Sequence, residues 1–207
     1  SVAVIIGAML VAPLMQPLAA GAIGLTTANQ WINKRTVITL IVGVLLALLV
    51  SFVLGVLLPF GETDEMRARG SPTLLDAAVA FTSGLIAAYA TARKGIPAAL
   101  AGVAIAAALM PPVGTVGLSL ALGNLDLALG SSLLFVTNII FIIVAQNLIF
   151  FALGLRREQE EEEREQVRNW LWWGVIIGSM VVVIFILFSL TFSSSLQVQV
   201  TRVLEDY

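Results

Sequence analysis

The sequence predicts an all-α integral membrane protein, with six transmembrane spans arranged as two three-span repeats inverted in the membrane plane. Three observations carry that expectation. First, the 207 residues are 59% hydrophobic and 12% charged, with a mean hydropathy of +1.00, far too apolar for a water-soluble domain of this length. Second, six apolar stretches, each near the ~20 residues that cross ~30 Å of hydrocarbon, alternate with short charged connections. Third, residues 7–25 (GAMLVAPLMQPLAAGAIGL) and 102–120 (GVAIAAALMPPVGTVGLSL) are two versions of one Gly/Ala-rich helix carrying a Leu-Met-x-Pro step, at an offset of 95 residues.

The spans follow in order. The first covers 2–25 and contains Pro13, Gln16 and Pro17; the chain opens on Ser1 with the apolar run at once, which reads as a chain with sequence upstream. Asn33, Lys34 and Arg35 lead into the second span, 36–59. The charged loop 61–70 (GETDEMRARG) precedes the third, 73–92, and Arg93-Lys94-Gly95 joins it to the fourth, 96–122, which holds Pro111 and Pro112. Residues 123–126 turn the chain into the fifth, 128–154. The run 156–168 (RREQEEEEREQVR) comes before the sixth, 170–192. Trp31, Trp170, Trp172 and Trp173 stand at span ends, where indoles sit at the interface.

Proline donates no amide hydrogen, and its ring meets the carbonyl four residues back, so spans one and four are expected to break at their proline motifs. Backbone freed in hydrocarbon is tolerated only where protein or water re-satisfies it. Paired interrupted spans in two halves are therefore a pointer to a transporter-like site. The 95-residue offset carries span two onto 131–154, span three onto 168–187 and the loop at 61 onto the run at 156. The expected units are 1–95, 96–192 with the charged segment 156–168, and a tail 193–207. An odd number of crossings per unit makes the repeat inverted.

Lys and Arg set the orientation. Lys34, Arg35, Arg93, Lys94, Arg156, Arg157, Arg164 and Arg168 fall on one side, against Arg67, Arg69 and Arg202 on the other, so segments 33–35, 93–94 and 156–168 are expected on the cytoplasmic side of the cell membrane. Both chain ends then lie outside, and a cytoplasmic N-terminal domain would need one further span before Ser1.

The candidate pathway residues are Pro13, Gln16, Pro17, Pro111, Pro112 and Thr115, which border the two expected breaks, with Asn138 as the neighbouring amide. The competing reading of the prolines is a kink at a helix crossing with no ligand. Asp76 has two readings: a functional intramembrane carboxylate, or the third residue of a capping box on Thr73. Asn138, Gln146 and Asn147 must face protein or water, since an unpaired amide in hydrocarbon is costly; Asn138 and Gln146 share a side of the helix and Asn147 lies about 100° from Gln146. The run 158–168 reads as a solvated helix with pairs such as Glu160/Arg164, and small residues including Gly84, Ala87, Ala88 and Gly102 permit close helix approach and subunit contact.

Several classes are disfavoured. The chain has no His and no Cys, which excludes thiol and imidazole chemistry and the ligands most transition metals use. No GxGD motif occurs, and Asp76 has no second acidic residue within a span, so an enzyme is not expected, nor a cofactor or metal. Nothing resembles a basic nucleic-acid face. The expected partners are the lipid bilayer, a small solute or ion, and a second copy of the chain.

Several motifs together resemble one family. Ile6-Gly7-Ala8-Met9-Leu10-Val11-Ala12-Pro13-Leu14-Met15-x-Pro17, then Leu74-Leu75-Asp76 with Ser83-Gly84, then Gly102-Val103-Ala104-Ile105-Ala106 running to Leu109-Met110-Pro111-Pro112, and Thr137-Asn138 are similar to domain-of-unknown-function family 389, a group of prokaryotic hydrophobic membrane proteins. The resemblance covers roughly residues 1–155. It implies a polytopic membrane protein whose relatives carry a further span and a soluble region upstream. Transport of a small solute or ion at the two proline motifs is the expected function; the alternative is a membrane anchor or signalling module serving such a soluble region.

Overall fold

The computed structural model describes residues 15–26, 30–58, 61–93, 95–96 and 98–154, with positions 174, 177, 178 and 181. Pro13, the charged run 156–168, the bulk of the sixth expected span and the tail lie outside the described residues. Every element in the described region is helical: α1 (Met15–Thr26), α2 (Gln30–Leu57), α3 (Asp64–Arg69), α4 (Leu74–Ala92), α5 (Ala98–Ala121) and α6 (Leu125–Ala152). Four of them, α2, α4, α5 and α6, are long and apolar enough to cross a membrane. The chain is a membrane-type helical protein. The charged loop after span two contains an unexpected short helix, α3.

Helix α6 is the hub. It packs on α4 and α5 along most of its length, on α1 near its C-terminal half and on α3 at its start. The core it shares with α1, α4 and α5 is built from Leu18, Ala80, Ala87, Ile105, Leu109, Phe141 and Ile142. Small residues set the spacing. A Cβ added at Gly84 of α4 would lie 2.7 Å from the Ile142 carbonyl oxygen and 2.8 Å from the Ala145 methyl, so the two backbones touch through that glycine. Helix α2 lies against α5 by one edge, with Ser51 and Leu48 over Gly117, and turns Ile41, Leu45, Leu49 and Phe52 outward, as a lipid-facing helix does.

The ends of the bundle sort into two groups. At one end, the Asn124 amide donates to Glu62, Glu62 pairs with Arg67 at 3.4 Å, Met66 of α3 is buried, and Ala121 meets Gly55. At the other, Ile23, Arg93, Phe150 and Leu153 border a common cavity. Helices α2 and α5 therefore run parallel and α4 and α6 antiparallel to them, as alternating crossings require. Asn124 starts α6 by accepting from the Leu127 amide at 3.0 Å, and Gly123, at φ 74°, supplies the left-handed turn before it.

The expected break in span four is corrected. Helix α5 runs through Pro111 and Pro112 without interruption. In span one, Pro17 lies inside α1 and is buried, and the residues before Met15 lie outside the described residues.

Candidate functional site

Continuity of α5 through two prolines is a chemical problem with a visible solution. Pro111 and Pro112 withdraw the amide donors that would reach the carbonyls of Ala107 and Ala108. The second of these is met from outside the helix: Asn138 Nδ2 of α6 donates to the Ala108 carbonyl oxygen at 2.8 Å, in a buried position. Thr115 Oγ1 donates to the Pro111 carbonyl oxygen at 3.0 Å, one turn further on. The predicted residues Pro112, Thr115 and Asn138 are thus brought together and buried, with Pro111 half-buried beside them. Ala108 and Asn138 both fall near the middle of their helices, the level of the bilayer centre if α5 and α6 span it.

The Asn138–Ala108 bond fixes the register of the antiparallel α5/α6 pair. Two turns from it toward the Glu62 end, Thr115 and Ser131 come level, and Ser119 follows one turn beyond Thr115; the helical repeat keeps all of them on the facing stripes. This seam contains three of the described side-chain atoms that break the bundle's own rule. Hydroxyls on apolar helices normally bond back to the carbonyl four residues earlier, and Thr39, Ser51, Thr82, Thr91 and Ser132 do so. Ser119 Oγ, Ser131 Oγ and Asn138 Oδ1 are buried with no hydrogen-bond partner. Thr137 Oγ1 shares that state away from the seam.

Gln146 is the other anomaly. It is fully buried at 0% exposure, and neither its Oε1 nor its Nε2 has a partner. It stands one turn from Ile142 and one turn from Phe150, between the core around Leu18 and the small cluster of Ala22, Ala88 and Phe150. Phe150 in turn lines the cavity of about 450 Å³ at the Arg93 end, with Ile23, Thr91, Ala92 and Leu153. Asn147, by contrast, donates to the Ile143 carbonyl oxygen at 2.8 Å.

The other predicted residues lie elsewhere. Pro17 is buried in α1, and the side chain of Gln16 and all of Pro13 lie outside the described positions. Asp76 forms the capping box at the start of α4: its Oδ2 accepts from the Thr73 amide at 2.9 Å and the Thr73 hydroxyl at 2.7 Å, while the Asp76 amide donates to Thr73 Oγ1 at 3.3 Å. That set of bonds accounts for the carboxylate. Thr73→Ala is expected to lower stability by about 1 kcal/mol, read by thermal unfolding in detergent; a variant as stable as the parent would remove the box as the reason for Asp76. Ser119 and Ser131 were not singled out in the sequence, because nothing local distinguishes them from the hydroxyls that bond back.

Comparison with known proteins adds a family and no activity. A family model described as Domain of unknown function (DUF389) matches residues 9–144. An uncharacterized protein of the archaeon Methanocaldococcus jannaschii is 28% identical over 155 residues, covering 74% of this chain and 48% of its own length. The chain thus spans about half the length of that relative. No solved structure matches it.

Proposed function

Because this chain belongs to the family of the Domain of unknown function DUF389, we propose its function from its own geometry: it is a transporter or channel for a small solute or ion, whose path follows the α5/α6 seam. The observation that carries this reading is the proline-freed Ala108 carbonyl held by Asn138 beside a line of buried, unpartnered oxygens. Non-helical bonding needs at membrane depth are kept where they serve a site. The seam leads from the Glu62 end to the middle of the bundle, and Gln146 leads from the middle toward the Arg93 cavity. The buried groups are out of water's reach in this conformation, so passage requires α5 and α6 to part.

The same proposal includes an inverted repeat. Offset by 95, the C-terminal bound of α2 at Leu57 falls on that of α6 at Ala152, and Met15–Thr26 of α1 falls within α5. Helices α2 and α6 run in opposite directions, as inversion demands. Six spans, a 3+3 organisation and inward placement of Lys34 and Arg93 are part of this proposal. These 207 residues contain no Cys, so single cysteines at Lys34, Arg67 and Arg93 in this chain report its topology directly. An impermeant thiol reagent added to intact cells is expected to label Arg67→Cys alone; labelling of Arg93→Cys with Arg67→Cys protected would reverse the orientation.

The activity itself is tested in liposomes. Purified protein is expected to pass at least one class among alkali cations, protons, small anions and small neutral solutes above protein-free vesicles. No flux of any of them would defeat the transport reading and favour a membrane anchor for another part of a longer protein.

A further inference from the structure

We infer that the solute is a monovalent alkali cation, carried with part of its water shell along the α5/α6 seam; this rests on the transport reading and names its substrate class. The unpartnered atoms of the seam are all oxygens: Ser119 Oγ, Ser131 Oγ and Asn138 Oδ1. The amide of Asn138 is turned to the Ala108 carbonyl and the Thr115 hydroxyl to the Pro111 carbonyl, which leaves lone pairs toward the seam. Helix α5 carries no charged residue, and α6 carries only Asp126 in its first turn. An anion could take the two Ser O–H donors, but it would find no cationic group on either helix to replace its lost hydration.

A divalent cation is disfavoured for a different reason, since it draws on carboxylates for its binding energy and the seam has none at depth. A proton relay would need a titratable side chain there. Neutral oxygens suit an ion whose dehydration cost is small enough for hydroxyls and carbonyls to replace, which is how monovalent cations are held in filters built of uncharged groups. Successive levels are separated by about 6 to 10 Å along the axis, so the ion exchanges ligands stepwise and keeps water between steps. The mouth agrees in sign: Glu62, Asp64, Glu65, Asp76 and Asp126 outnumber Arg67 and Arg69 at that end, concentrating cations at the entrance.

The test uses the double variant Ser119→Ala, Ser131→Ala. Both hydroxyls are buried without partners, so their removal relieves unsatisfied groups and leaves the fold as stable as before or more so. Full-length protein in liposomes is given K⁺ or Na⁺ gradients with an impermeant counterion and, in parallel, chloride gradients with an impermeant cation. The wild type is expected to pass K⁺ or Na⁺ and to exclude chloride, and the double variant to lose cation flux with no fall in thermal midpoint. Chloride or neutral-solute flux in place of cation flux, or cation flux unchanged in the double variant, overturns the substrate assignment while the transport reading stands. Absence of all flux in the wild type overturns both.

Discussion

Asn138→Leu should cost about 1–3 kcal/mol more in the native background than in a chain already carrying Pro112→Ala. The reasoning isolates one bond. In the native chain, the substitution leaves the Ala108 carbonyl buried with no donor, because Pro112 cannot supply one and Asn138 Nδ2 is gone. In the Pro112→Ala background, residue 112 regains an amide hydrogen at the i+4 position, and α5 satisfies the carbonyl by itself. Every other consequence of Asn138→Leu, including removal of the unpartnered Oδ1 and the added apolar bulk, is common to both backgrounds and cancels in the difference. Unfolding in mixed micelles across the four proteins measures the coupling. A coupling near zero would mean that the 2.8 Å bond does not hold the proline step together.

Gly130→Ala is expected to be the most damaging single methyl in the described bundle, destabilising it by about 1–3 kcal/mol or shifting α6 against the end of α3. A Cβ built on Gly130 overlaps the carbonyl oxygen of Gly70 and comes within 2.8 Å of its carbon, and both are backbone atoms with no rotamer to give way. The consequence reaches the seam, because this contact seats α3, with Arg67 and the adjoining Glu62, on the first turns of α6. Gly114→Ala provides the control, since its Cβ would meet only Ser51 Oγ, at 3.9 Å. Equal stability for the two variants would show that the Gly70–Gly130 contact is not rigid.

Much of this architecture is legible in the sequence, for reasons that are local. Hydropathy over some twenty residues placed α2, α4, α5 and α6 within a few residues of their bounds. The capping box on Asp76 was readable because its partners are three positions apart. The expected break at Pro111 and Pro112 went wrong because it counted only donors within the helix, whereas the missing donor arrives from Asn138, 30 residues further along the chain. That bond depends on the register of α5 against α6, a quantity no local pattern encodes. The seam hydroxyls were missed for a related reason. Ser131 and its neighbour Ser132 look alike in sequence, yet Ser132 bonds back to Ala128 at 2.8 Å and Ser131 does not. Gln146 and Asn147 divide in the same way, and only packing tells them apart.

The central claim is that the proline step and Asn138 exist for a path and not only for packing, and the double variant Asn138→Leu, Pro112→Ala separates the two roles. Its helix is self-satisfied, so it should escape the penalty of about 1–3 kcal/mol that Asn138→Leu carries in the native background. Flux through it in liposomes is the decisive measurement. The account predicts a folded protein that no longer transports the solute passed by the wild type, because the oxygen at position 138 is gone. A folded double variant that transports at the wild-type rate would contradict it and reduce the Asn138–Ala108 bond to a structural repair.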